Sequence, residues 1–328
     1  MTPPDWQSLL FVPAGVEKHL ASAIRLRPDA IILDLEDAVA PVAKEAARGA
    51  VRHAQTQIKS AGIGCVVRVN AGLRAMLADM DALDLAATDA IIVPKCDGVR
   101  GLQNAAEMTG GATALIALIE SPAALAHLTD IAAMPACAGL MIGSEDYAAN
   151  LGVDPNGGAL VHVATLFGIA ACRRGLLTVG FAGSIANFRD LDLYARQIAK
   201  GRALGMRAVA AIHPAQLPVI VGASAVTEAG RAWADGVLAD RHQLPGRRGI
   251  QNTIGENVKA CLKSVPVMTG CPNRFSAKRV RNRSQTGGPG GRKSGERNDQ
   301  GRCRCRRNLH GPRDGGGRPR GQAKGVHA

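Results

Sequence analysis

Short, almost unbroken apolar runs bounded by Gly, Pro, Asp or Asn recur along the first part of the chain and alternate with longer Ala-rich stretches of helical character. The runs are Ser8–Pro13, Ala30–Asp37, Cys65–Asn70, Ala90–Lys95, Thr113–Glu120, Gly139–Asp146, a weaker Leu177–Ala182, and Arg207–His213. Most are continuously hydrophobic rather than alternating, as strands covered on both faces must be. The stretches between them, such as Val16–Arg27, Ala43–Ser60, Pro122–Met134 and Asp190–Leu204, are long enough for the crossover helices that parallel strands require. Eight such units in about 220 residues predict a (β/α)8 TIM barrel, which typically takes about 250. A doubly wound open sheet is the alternative, because the seventh run is faint.

Run after run ends in charged or amide groups: Glu36 and Asp37, Arg68 and Asn70, Lys95, Glu120, Glu145 and Asp146, and His213. The C-terminal ends of barrel strands converge on one face, so these groups are expected to share one mouth. Glu120 and Asp146 would offer two hard oxygen ligands from adjacent strands, with substrate and water completing an octahedron, which suits Mg²⁺. Glu36 and Asp37 are placed to hydrogen-bond metal-bound waters; a capping Asp beside a paired carboxylate is the plainer alternative. The guanidinium of Arg68 can hold a carboxylate or an enolate oxygen, or form a salt bridge with Asp37 or Glu36. Lys95 fits a Schiff-base amine or an ion-pair partner equally. A metal, an arginine and no obvious nucleophile point to enolate chemistry, with Arg68, Glu36 and Asp37 as candidate catalytic residues.

Composition changes the picture at residue 240. The formal net charge of +13 suggests a polyanion-binding protein, yet residues 1–240 carry 19 Lys and Arg against 23 Asp and Glu. Residues 241–328 hold 21 Lys and Arg against 4 Asp and Glu, with 16 of the 39 glycines. The expected organisation is therefore a barrel domain over 1–240 and a basic, Gly/Arg-rich tail over 241–328, too poor in apolar residues to fold alone. Such a tail reads as a nucleic-acid arm driven by counterion release, as a solvated extension, or as the product of a shifted reading frame in a GC-rich gene. Aromatic residues make up only 3%, too few for base stacking, so nucleic acid is not the expected partner of the barrel. No dinucleotide fingerprint follows the first run, and the tail's G-G-P-G-G-R-K-S lacks Walker spacing. No membrane-spanning run and no signal-peptide pattern is visible, which predicts a cytoplasmic protein. Cys65, Cys96, Cys137 and Cys172 stand singly among apolar residues and read as buried thiols.

A series of motifs then becomes recognisable: S-L-L-F-V-P-A at Ser8–Ala14, I-L-D-L-E-D-A-V at Ile32–Val39, V-R-V-N at Val67–Asn70, and I-V-P-K at Ile92–Lys95. It continues with L-I-E-S-P-A at Leu118–Ala123, G-S-E-D-Y at Gly143–Tyr147, N-F-R-D at Asn187–Asp190 and A-I-H-P-A-Q at Ala211–Gln216. In this order, over about residues 7–235, the chain resembles the citrate lyase beta subunit-like family, the HpcH/HpaI aldolases that act as CoA-ester lyases. The resemblance implies Mg²⁺ at Glu120 and Asp146, substrate recognition by Arg68, and support from Glu36 and Asp37. It also implies substrates such as citryl-, malyl- or citramalyl-CoA, cleaved to an acyl-CoA and a 2-oxo acid by a homo-oligomer, a trimer or hexamer. A thioesterase or synthase acting on the same thioesters is the alternative, as is a weakened barrel that binds nucleic acid through its tail. Two departures stand out. Ala182 replaces an Asp that the family often carries near strand seven, and no segment resembling D-G-x-M-I-D-x-P follows A-I-H-P-A-Q.

Overall fold

The computed structural model describes residues 5–224 and Ala232. The tail expected over 241–328, its boundary at 240 and its reading as a nucleic-acid arm all fall outside the described residues. Within them the chain runs through β1 (Ser8–Pro13), α1 (Glu17–Leu26), β2 (Ala30–Asp34), α2 (Lys44–Ser60), β3 (Gly64–Arg68), α3 (Leu73–Ala82), β4 (Ala90–Val93) and α4 (Arg100–Met108). It continues with β5 (Ala114–Ile119), α5 (Pro122–Ala126), α6 (Leu128–Ala133), β6 (Cys137–Ile142), α7 (Ser144–Leu151) and α8 (Ala159–Cys172). The last elements are β7 (Leu177–Val179), α9 (Leu191–Ala203), β8 (Val209–Ala211) and α10 (Gln216–Ser224).

All pairings are parallel, in the order β7-β6-β5-β4-β3-β2-β1-β8. The seam between β7 and β8 is closed by a single bridge, Val179 to Ala208, with Ala208 N–H donating to Thr178 O at 2.9 Å and Gly180 N–H to Ala208 O at 2.8 Å. This is a (β/α)8 barrel with one thin seam, and the open-sheet alternative falls away. The seam is thin because β7 is only three residues long. Beyond it Gly180 turns the chain at φ +135°, and a Cβ there would press on Ile142 at 3.2 Å.

The continuous apolar runs are explained by two separate hydrophobic clusters. Ala30, Ile32, Val66, Ile92, Ala114, Ile116 and Leu118 fill the barrel interior. Ile31, Leu33, Val67, Ile91, Leu115 and Ala117, the intervening residues, pack outward against the helices. Each strand thus alternates between two apolar environments, so no polar position marks the alternation until the strand ends. The stretch expected to form one helix over Pro122–Met134 is two, because His127 leaves helical geometry at φ −102°, ψ 8°. The run Gly139–Asp146 is strand only as far as Ile142, and helix α7 starts at Ser144. Among the described residues no helix is long and apolar enough to cross a membrane.

Candidate active site

A cavity of about 390 Å³ opens at the C-terminal ends of the strands. The inward parity of each strand carries straight into it. Asp34 is in phase with Ala30 and Ile32, Arg68 with Val66, Glu120 with Ile116 and Leu118, and Ile212 with Ala210. These side chains line the cavity because the pleat points them there. Around its rim, β2, β3, β5 and the start of α7 contribute Asp34, Asp37, Arg68, Glu120, Glu145 and Asp146, whereas β1, β6, the segment after β7 and the end of β8 contribute Phe11, Met141, Ile185 and Ile212. One side is charged and the other apolar.

Arg68 is the centre of the charged side. Its Nε and Nη2 donate to Asp34 Oδ1 at 2.8 Å and Oδ2 at 2.6 Å, a bidentate pair. Nη1 lies 3.2 Å from Glu36 Oε2 and 3.3 Å from Asp37 Oδ2. The guanidinium carbon also sits 5.1 Å from the centroid of Phe11. Burial opposes the Arg68 charge, but its hydrogen bonds to Asp34 and the fields of Asp34, Glu36 and Asp37 outweigh it and hold the group firmly protonated. The ion-pair alternative for Arg68 is therefore realised, and its principal partner is Asp34, which the sequence had not singled out. Asp34 also accepts the backbone N–H groups of Glu36 and Ala38, at 2.9 and 3.0 Å, and so shapes the turn that follows β2.

Glu36 is buried and lies off the cavity wall. Its Oε1 accepts from Lys95 Nζ at 2.9 Å, while Oε2, though near Arg68, receives no directed hydrogen bond. Burial raises the Glu36 pKa, against the pull of Lys95 and Arg68. Asp37 is more than half exposed at the rim. Lys95 has a left-handed backbone, φ 50°, which aims its N–H at Glu120 Oε2, 2.9 Å away. Its amine lies 2.9 Å from Glu36 Oε1, and that hydrogen bond raises the Lys95 pKa, so the ion-pair alternative is the one the geometry forms.

Glu120 is buried, and burial pushes its carboxyl up to about 7, with Glu36 and Asp146 adding like-charge repulsion and the Lys95 N–H opposing. A Cβ on Gly143 would lie 2.5 Å from Glu120 Cγ, so only glycine leaves room for this carboxylate. Asp146 reaches the cavity from the first turn of α7, not from a strand end as expected, and the same holds for Glu145. Glu145 is occupied: its Oε1 accepts from Ser184 Oγ at 2.7 Å, Ile185 N at 3.0 Å and Ser144 Oγ at 3.3 Å. Among the described residues no group of three or more His, Cys, Asp or Glu side chains is arranged to hold a metal ion. A metal ion here would depend on two carboxylates.

Other strand-end groups serve the scaffold. Asn70 accepts from Lys44 Nζ at 2.7 Å and donates to Asp79 Oδ2 at 2.8 Å, while the same Lys44 amine holds the carbonyls of Leu35 and Glu36 at 2.7 and 2.5 Å. His213 is exposed, stacks on Phe188 with ring centroids 5.1 Å apart, and caps its own turn through Nδ1. Cys65, Cys96 and Cys137 are buried free thiols, and burial pushes them up to about 12, 12 and 11; Cys172, expected inside, is exposed.

Residues 7–214 match the family model HpcH/HpaI aldolase/citrate lyase. The chain is 34% identical over 221 residues to a (3S)-malyl-CoA thioesterase of Cereibacter sphaeroides, covering 65% of this chain and 75% of the relative. It is 33% identical over 245 residues to a citrate lyase subunit beta-like protein of Mycobacterium tuberculosis, covering 72% and 84%. Among solved structures it resembles the citrate lyase beta subunit of M. tuberculosis complexed with oxaloacetate and magnesium, with a TM-score of 0.56, 29% identity, and coverage of 66% of this chain and 95% of that one. A complex of protein CitE from the same organism with magnesium, acetoacetate and coenzyme A matches with a TM-score of 0.60 and 27% identity, covering 80% and 97%.

Proposed function

The chain belongs to the HpcH/HpaI aldolase/citrate lyase family, which makes it an enzyme of the carbon–carbon lyase class, and from that premise we propose that it is a Mg²⁺-dependent lyase. Its substrate is a 3-hydroxyacyl-CoA such as citryl-, malyl- or citramalyl-CoA, cleaved to an acyl-CoA and a 2-oxo acid. The observation that carries this reading is the pairing of a permanently charged Arg68 with buried Glu120 and with Asp146 on the wall of one cavity.

The donor set fits the ion. Glu120 is driven towards its neutral form by burial and by the neighbouring carboxylates, so a cation at this point would relieve both penalties. Two hard oxygen side chains, with water and substrate filling the remaining positions, are what Mg²⁺ commonly takes from a protein. Glu120 and Asp146 would hold it. Bound there, Mg²⁺ would supply Lewis-acid polarisation of the oxygen on the carbon that becomes the 2-oxo carbonyl.

The chain's own groups do the rest. In cleavage a base takes the 3-hydroxyl proton, the C2–C3 bond breaks with its electron pair moving onto C2 and the thioester oxygen, and a proton returned to C2 completes the acyl-CoA, while C3 becomes the 2-oxo carbonyl. Negative charge therefore grows on the thioester oxygen, and the cationic Arg68 in the same cavity would offset it. The Nη1 edge of Arg68 makes the longest of its ion pairs, to the exposed Asp37 at 3.3 Å. A substrate carboxylate would take that edge in place of Asp37. Glu36 acts through others, holding both Arg68 and Lys95 in position.

Hydrolysis is a second reading, supported by the (3S)-malyl-CoA thioesterases among the relatives. One experiment separates the two. The full-length protein is supplied with Mg²⁺ and malyl-, methylmalyl-, citramalyl- and citryl-CoA, and the products are identified by mass spectrometry. Acyl-CoA plus 2-oxo acid, falling about 100-fold or more in Glu120→Ala, is the expected result, since metal polarisation is worth several kcal/mol. Free CoA with the intact hydroxy acid would establish the thioesterase instead, and no product from any substrate would refute both.

A further inference from the structure

We propose that Ile185 is the specificity wall of the site, setting the size of the apolar substituent that the 2-oxo acid portion of the substrate can carry. A second cavity, of only about 10 Å³, shares Met141, Ile142, Ser144 and Ile185 with the large one. Its remaining boundary is Phe181, Ala210 and the backbone around Gly180 and Gly183. The shared residues are the partition between the two spaces. Of these, Ile185 alone belongs to neither strand nor helix, and it packs against both hydrophobic clusters.

Its backbone is nevertheless held from two sides. The N–H donates to Glu145 Oε1 at 3.0 Å, and the carbonyl accepts from Gln216 Nε2 at 2.8 Å. Gln216 is fully buried, and its Oε1 takes the N–H groups of Ile212 and His213. Ile185 is therefore a fixed wall carried on a loop. The glycines behind it cannot replace it in this role: a Cβ at Gly183 would fall 2.1 Å from Gln197 Cδ.

The two-sided character of the large cavity gives the orientation. A small molecule whose charged end meets Arg68 and the carboxylates must turn its uncharged substituent towards Phe11, Ile185 and Ile212. Truncating Ile185 beyond Cβ joins the small cavity to the large one on that side and lengthens the apolar space. This inference takes the ligand class from the proposed function, so its test reads binding, beside the turnover assay on the CoA esters given above.

Glyoxylate, pyruvate, 2-oxobutyrate and 2-oxovalerate are titrated calorimetrically into the full-length protein with Mg²⁺, comparing wild type with Ile185→Ala and the milder Ile185→Val. Binding by the wild type is expected to weaken from pyruvate to 2-oxovalerate. Ile185→Ala should raise the affinity for 2-oxovalerate relative to pyruvate about tenfold or more, the discrimination that a methylene or two gives in an apolar pocket. Ile185→Val should move 2-oxobutyrate the same way by less, which keeps the test intact if the alanine variant folds poorly. An unchanged ranking in both variants, or the same shift in Ile212→Ala, which lines the large cavity alone, would overturn the assignment. Failure of every acid to bind the wild type would overturn it together with the proposed substrate class. Ranked binding without turnover would refute the lyase and thioesterase readings while leaving the wall in place.

Discussion

At the residue scale, burial and mutual repulsion set the carboxylates of the site, and both leave measurable signatures. Glu120 is raised from 4.5 to about 7, so below that pH the folded, metal-free protein favours its protonated form. The sign follows: this contribution to stability is fully present below the unfolded value and is lost as pH rises through about 7. Mg²⁺ competes with that proton. The thermal midpoint of metal-free protein should therefore fall between pH 5 and pH 8, and added Mg²⁺ should raise it strongly at pH 8 and little at pH 6. A Mg²⁺ effect independent of pH would refute this account of Glu120. Asp34 and Asp37 make the second contrast. Asp34 is buried against Arg68, and replacing one partner of a buried pair typically costs about 3–5 kcal/mol, whereas an exposed pair is worth about 1 kcal/mol or less. Asp34→Asn should lower stability in urea unfolding by about 3 kcal/mol and Asp37→Asn hardly at all. Equal losses would mean that Arg68 is held mainly by its outer partners.

At the element scale, the segment after β7 has no regular structure yet is among the most fully bonded parts of the mouth. Glu145 on α7 and Gln216 on α10 grip Ser184 and Ile185, while Asn156 Oδ1 accepts from Asn187 Nδ2 and Gln197 Nε2, both at 2.7 Å. Gln216→Ala would strand the N–H groups of Ile212 and His213 and the carbonyl of Ile185. The expected loss is about 2 kcal/mol. Hydrogen exchange at Ile185 and Ile212 should accelerate while the amides of β2 and β3 keep their protection. Uniform acceleration across the barrel would instead make Gln216 a general core residue.

At the scale of the whole molecule, the barrel is uneven. Five-residue registers join β1 to β2 and β2 to β3, while β7 and β8 meet through one bridge backed by Thr178, whose Oγ1 donates to Gly205 O at 2.8 Å and accepts from Arg207 N at 3.0 Å. Local opening should therefore begin at this seam. Native-state exchange of Gly180 and Ala208 is expected to be faster than that of Ile32 or Val66, and Thr178→Val should widen the gap. Equal protection would show that the barrel opens only as a unit.

The eight-unit architecture and most, though not all, of the polar groups of the mouth were readable from the chain alone. Eight apolar runs separated by helix-length stretches leave few arrangements other than a parallel barrel, and polar residues can follow such runs only where the strands reach solvent. Arg68 and Glu120 were legible on that ground, because each sits at or just beyond the end of its run. Asp34 was not, since in a strand buried on both faces nothing in the composition distinguishes inward from outward positions, and Glu36 and Asp37 drew attention by ending the run. Only the tertiary structure supplied the phase, through the two clusters that separate Ile32 from Ile31. It alone also moved Asp146 onto a helix, turned Glu145, Asn70 and His213 from candidate chemistry into scaffold, and brought Ile185 to the cavity. Such contacts join residues far apart in the chain, 59 positions in the case of Glu36 and Lys95, and no local pattern in the chain encodes them.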